Sequence, residues 1–161
     1  MNRRGFSLIE LLLVTAITVI IAGSGFLLIG NRRALTDLDA TTGVIVASLR
    51  EAQQNAQASA SSTAWGVRFD NAAGAASFSV FASSTYASSS VTSFSRLPAG
   101  IAYATSSLFV GSAREVVFGN GTGLVADKGV SVVVRTLKGN AAYEISVSQV
   151  GLVAASSTSA N

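Results

Sequence analysis

Cysteine and histidine are both absent from the 161 residues. Without cysteine there is no disulfide scaffold, no thiolate metal site and no cysteine nucleophile. Without histidine, Ser-His-Asp chemistry and HExxH zinc chemistry are closed, and the commonest general base and metal ligand are missing. Charge is scarce as well: 12% of residues are charged, about half the usual share. Proline occurs once, as Pro98. The inventory speaks against an enzyme. It leaves any globular domain to be held by packing alone.

What is abundant is apolar. Hydrophobic residues make up 49% of the chain, and the mean hydropathy is +0.50. That composition rules out a disordered acidic or basic tail and points to a segment in lipid. The net charge is +3, from eleven basic and eight acidic residues. Two of the basic residues are Arg3 and Arg4 at the extreme N-terminus, so the remainder is close to neutral and the pI of about 9.8 is not a nucleic-acid footprint.

The apolar excess is concentrated early. Met1 to Gly5 is short and basic, and Phe6 to Ile29 is an apolar run of 24 residues closed by Arg32 and Arg33. As a helix the run spans roughly 36 Å, enough for a hydrocarbon core of about 30 Å. It is too long for a cleaved Sec signal, and Leu27 to Asn31 offers no A-x-A exit. A plain signal-anchor fits the length but gives no reason for Glu10, the one acid inside. A carboxylate there costs on the order of 2.5–3.5 kcal/mol, so it points to function.

Gly5-Phe6-Ser7-Leu8-Ile9-Glu10-Leu11, behind its basic leader, resembles the class III signal of type IV pilins and type II secretion pseudopilins. The resemblance implies that prepilin peptidase cuts between Gly5 and Phe6 and N-methylates Phe6. It implies that Glu10 is the assembly acid, facing a neighbour's terminal amine. Such a pair sets axial register, because a slipped neighbour leaves a charge unpaired in a low-dielectric bundle. Many pilins carry a proline in the second half of this helix; here Gly23, Ser24 and Gly25 stand there instead.

Beyond the run, Leu35, Leu38, Thr42, Ile45, Leu49, Ala52 and Ala56 recur at steps of three and four. That is one stripe of an amphipathic helix, so a single helix is expected from about Phe6 to Ala58. After Ser59 to Ser62 the pattern turns β-like. Strands are expected at 64–69, 77–81, 108–110, 115–118, 130–135, 143–147 and 149–153. Turns are expected at 70–74, 119–123 and 138–140. Residues 83–95 read as an edge strand or a surface loop.

The expected fold is therefore α+β, pilin-like: a long N-terminal helix, its first half transmembrane, packed on a small antiparallel β-sheet headpiece. The expected parts are a leader at 1–5, a membrane half-helix at 6–30, an amphipathic half-helix at 31–58, a headpiece at 59–153 and a flexible tail at 154–161. From Val116 to Val153, and at Leu49 to Gln53, the pattern also resembles the GspH/FimT-like branch of minor pilins and pseudopilins.

The implied function is a non-enzymatic minor pilin or minor pseudopilin of a type IV pilus or a type II secretion pseudopilus. Its implied partners are prepilin peptidase, other pilin or pseudopilin subunits, the inner-membrane assembly platform and membrane lipid. The resemblance also implies its place: the bacterial inner membrane, single-pass with the headpiece periplasmic or extracellular, and then the filament. The alternatives are a plain anchored periplasmic domain and a DNA-binding minor pilin for DNA uptake. Lys128, Arg135 and Lys138 are the speculative nucleic-acid-binding residues. DNA-uptake members carry a basic Gly-Arg-x-Arg-type segment where this chain reads Gly151-Leu152-Val153-Ala154, without a cation. Major pseudopilins often hold calcium in an acidic C-terminal loop. No acidic cluster stands here, so no metal and no cofactor is expected. Asn120-Gly121-Thr122 matches a glycosylation triplet but reads first as a turn.

Overall fold

A computed structural model describes residues 7–125, 129–138 and 140–159, with the backbone alone at 24–32 and at 159. Helix α1 runs Leu8–Gln57. Its residues divide between two compact units, 1–33 and 34–161.

In the second unit the helical stripe is the spine of the core. Leu38, Thr42, Ile45, Leu49, Ala52 and Ala56 are all buried, at the spacing that keeps them on one face. Leu35 departs from the expected stripe and is about half exposed.

Eight strands follow: β1 Trp65–Asp70, β2 Ser77–Phe81, β3 Val91–Arg96, β4 Ile101–Tyr103, β5 Ala113–Phe118, β6 Val130–Thr136, β7 Ala141–Val147 and β8 Val153–Ser159. They form two four-stranded antiparallel sheets, ordered β3-β2-β1-β5 and β4-β6-β7-β8, where one small sheet was expected. The α+β class stands. A single core cluster joins the helix stripe to Val67, Phe69, Phe78, Val80, Val116 and Phe118 from the first sheet. Ile101, Tyr103, Val132, Val134, Ile145 and Val147 enter it from the second. Along β6 the buried positions are Val132, Val134 and Thr136, with half-buried residues between them, the period-2 pattern of a strand with one face inward.

Three local expectations are corrected. The tail expected to be flexible over 154–161 instead forms β8 as far as Ser159, paired with β7 from Val147↔Val153 to Ala141↔Ser159. Its small polar residues carry no alternation, because an outermost strand needs only backbone pairing on one side. The segment 149–153, expected as a strand, is mostly the turn before β8. There Ser148 N–H donates to Leu152 O at 3.0 Å and Gly151 N–H to Ser148 O at 2.9 Å. Leu108-Phe109-Val110, also expected as a strand, is a turn. Leu108 is buried in it while Phe109 and Val110 face outward, and Gly111 closes it at φ +82°.

The far end of α1 is tied to two glycine-bearing turns. Gly121 N–H donates at 2.7 Å to Ala56 O, a carbonyl of the last helical turn that also accepts from Ser59 N–H at 3.1 Å. Gln53 Nε2 donates to Gly123 O at 3.4 Å. Gly151 has φ +80°, and a Cβ there would lie 2.6 Å from Gly123 O. Only glycine lets the two turns close together over the helix.

Candidate functional site: the N-terminal helix and its acid

Among the described residues of the first unit, Glu10 is the one acid. Helix α1 begins at Leu8, just after Ser7, whose carbonyl accepts from Glu10 N–H at 3.0 Å and from Leu11 N–H at 3.2 Å. Glu10 therefore sits in the first turn, where a negative charge is favoured by the helix dipole. Ser7 and Glu10 also have the S-x-x-E spacing of a capping box.

Around Glu10 the helix is apolar on every side. Leu8, Ile9, Leu11, Leu12, Leu13, Val14, Ile17, Val19, Ile20 and Ile21 are between 49% and 78% exposed. A helix apolar all round is one that is buried in lipid or among other helices. Its hydroxyls are turned onto its own backbone: Thr15 Oγ1 donates to Leu11 O and Leu12 O, both at 3.0 Å, and Thr18 Oγ1 to Val14 O. That internal satisfaction suits an environment without water. Among the described residues no helix is long and apolar enough to cross a membrane. The described side chains of the apolar run end at Gly23, short of the roughly 20 residues a span requires.

Gly5 and Phe6, expected to flank the cleavage point, lie outside the described residues, as does the leader.

Of the cations considered for nucleic-acid contact, two lie among the described residues. Lys128 lies outside the described residues. Arg135 is on β6, opposite Ala102, and Lys138 is exposed in the turn that follows β6. The ion pairs among the described residues belong to Arg68. Its Nη1 is 2.6 Å from Glu115 Oε1 across the β1–β5 pair, and its Nη2 is 3.6 Å from Asp70 Oδ2. The same guanidinium lies 4.3 Å from the Tyr86 ring centroid. This is a network that holds strands together. Among the described residues no three acidic, cysteine or histidine side chains gather as a metal site. Asn120 to Thr122 lie in the turn that caps the helix.

Two residues escaped the sequence reading. Tyr103 and Arg96 border a cleft between the two sheets. The alternation Ile101-Ala102-Tyr103 after Pro98 to Gly100 is the signal that marks β4, but three residues are too few to stand out.

Among known families, the model of the prokaryotic N-terminal methylation motif matches residues 1–26. The chain carries a type IV pilin/pseudopilin signal. No curated protein and no solved structure matches the chain. The signal covers the leader, Glu10 and the apolar helix past Gly23. It points to a processed structural subunit, cut by prepilin peptidase and assembled with other pilin-type subunits.

Proposed function

We propose that this protein is a non-enzymatic minor pilin or minor pseudopilin of the GspH/FimT-like branch, in a type IV pilus or a type II secretion pseudopilus. The segment Phe6 to Ile29 anchors it in the bacterial inner membrane. Prepilin peptidase cuts between Gly5 and Phe6 and methylates the new amine. The headpiece stands on the periplasmic or outer side until the subunit enters a filament.

The observation that supports this most is Glu10: the one carboxylate over residues 8–23 of α1, a stretch whose Leu, Ile and Val side chains are exposed. In lipid or in a helical bundle that charge needs a cation. After cleavage, the amine of a neighbouring Phe6 supplies it. Breaking such a pair by removing one partner costs about 3–5 kcal/mol in a buried setting. A subunit lacking Glu10 would lose both its register signal and its partner. DNA uptake rests on Lys128, Arg135 and Lys138, and three phosphate contacts would bind weakly and fade with salt.

The test is incorporation. In cells carrying the filament machinery, Glu10→Ala is expected to be processed at the normal rate yet be missing from the sheared filament fraction. Glu10→Asp is expected to assemble partly. Equal incorporation of Glu10→Ala would support the plain anchored domain instead.

A further inference from the structure

A cleft of about 400 Å³ opens between the edges of the two sheets, and its wall is built asymmetrically. One side is the β1–β2 loop, whose Ala72, Ala73, Ala75 and Ala76 leave the space open. The opposite side is β4, the outermost strand of its sheet, backed by β6. Leu97, Pro98 and Val110 make the rest largely apolar.

Two arginines line this space, the exposed Arg96 and the half-buried Arg135, and among the described residues the lining contains no aspartate or glutamate. Arg96 ends β3 opposite Ser77, and Arg135 lies on β6 opposite Ala102. Among the described residues neither belongs to an ion pair, the pairs there being Arg68's. Arg96 also borders a smaller hollow of about 220 Å³ that contains Asp37, without pairing to it. The Arg135 Nε is buried with no hydrogen-bond partner among the described residues, so any ligand meets Arg135 through its other guanidinium nitrogens. An arginine fork matches a carboxylate with two parallel N–H···O bonds.

We propose that this cleft binds an acidic peptide segment of a partner protein, with a carboxylate on Arg96 and Arg135 and apolar neighbours against Leu97, Pro98 and Val110. Charge complementarity selects the acid: two cations stand in the wall, and among the described residues its lining holds no aspartate or glutamate. The apolar walls and small volume favour a short peptide over a nucleic-acid backbone, which is read by open cationic surface. The proposal does not rest on the reading of Glu10.

The test uses the full chain in detergent micelles and fluorescein-labelled peptides of nine residues with a central Leu-Glu-Leu or Leu-Gln-Leu. A dT12 oligonucleotide carrying the same label is the third probe. Anisotropy is expected to give saturable binding of the glutamate peptide at least about tenfold tighter than of the glutamine peptide, from charge-assisted bonding. Arg135→Gln and Arg96→Gln should each remove that preference, while Lys138→Gln, in the exposed turn, should keep it. Ala75→Leu, which fills the cleft and leaves both arginines, should abolish binding, with circular dichroism confirming the fold of each variant. Equal affinity for the two peptides, no saturable binding by millimolar concentrations, or a preference unchanged in both arginine variants would overturn the proposal. Tighter binding of dT12 that falls in the same two variants would also overturn it, and would assign the cations to phosphate.

Discussion

Tyr103 Oη donates to Ser77 O at 3.0 Å, and with this one buried bond a strand of the second sheet is tied to a strand of the first. The Tyr103 ring stands edge-on to Phe69, 6.0 Å between centroids. Burial, and secondarily the charge of Asp70, pushes its phenol well above the ordinary tyrosine range. Tyr143 is raised too, chiefly by its hydrogen bond to Asp39 and then by that carboxylate's charge.

The sign of the pH dependence follows. Both phenols have folded values above the unfolded value of about 10, so their protonated forms are favoured by folding. The stabilisation is complete below pH ~10 and is lost as pH rises beyond it. Urea midpoints followed by circular dichroism are expected to be flat from neutral pH to about 9 and to fall steeply above 10. Tyr103→Phe should cost about 1–3 kcal/mol at neutral pH, by leaving the Ser77 carbonyl without this donor, and should flatten most of the alkaline fall. An unchanged alkaline slope in Tyr103→Phe would assign the loss to other groups.

Gly151→Ala tests the closure over the end of α1. The substitution forces a Cβ onto φ +80° and within 2.6 Å of the Gly123 carbonyl oxygen. A loss of at least about 1–3 kcal/mol is expected, read as a lower urea midpoint at unchanged slope. A neutral result would show that the two turns separate freely.

Thr42→Val tests the core from the opposite direction. Thr42 is on the buried helix face, and its Oγ1 is buried with no hydrogen-bond partner. Valine keeps the shape and removes the unsatisfied hydroxyl. The thermal midpoint is expected to rise, by a gain of about 1 kcal/mol.

The parts legible in the sequence were those governed by local periodicity. Leu38, Thr42, Ile45, Leu49, Ala52 and Ala56 declare a buried helix face because each repeats the last at the helical period. The turn at Gly119 to Gly123 declares itself by composition, though not that it would meet Ala56. Sheet membership was not legible, because pairing β1 with β5 joins residues some 50 positions apart and no local pattern encodes it. Strand β8 was missed because Ala154 to Thr158 are exposed and small, so nothing in their hydropathy marks the pairing that holds them. Glu10 was legible for the opposite reason: a charge in an apolar run is conspicuous without any knowledge of the fold. Arg96 and the cleft were invisible, since an arginine at a strand end is ordinary until the opposing wall is known.

The central claim is that the chain is made as a precursor and matured for a filament. Peptide mass spectrometry of the N-terminus, on protein taken from its native membrane with and without prepilin peptidase, tests it most directly. The account predicts a mature chain beginning at N-methylated Phe6, replaced by the uncut chain with Met1 to Gly5 attached when the peptidase is absent. A chain that retains residues 1–5 while the peptidase is active would contradict it.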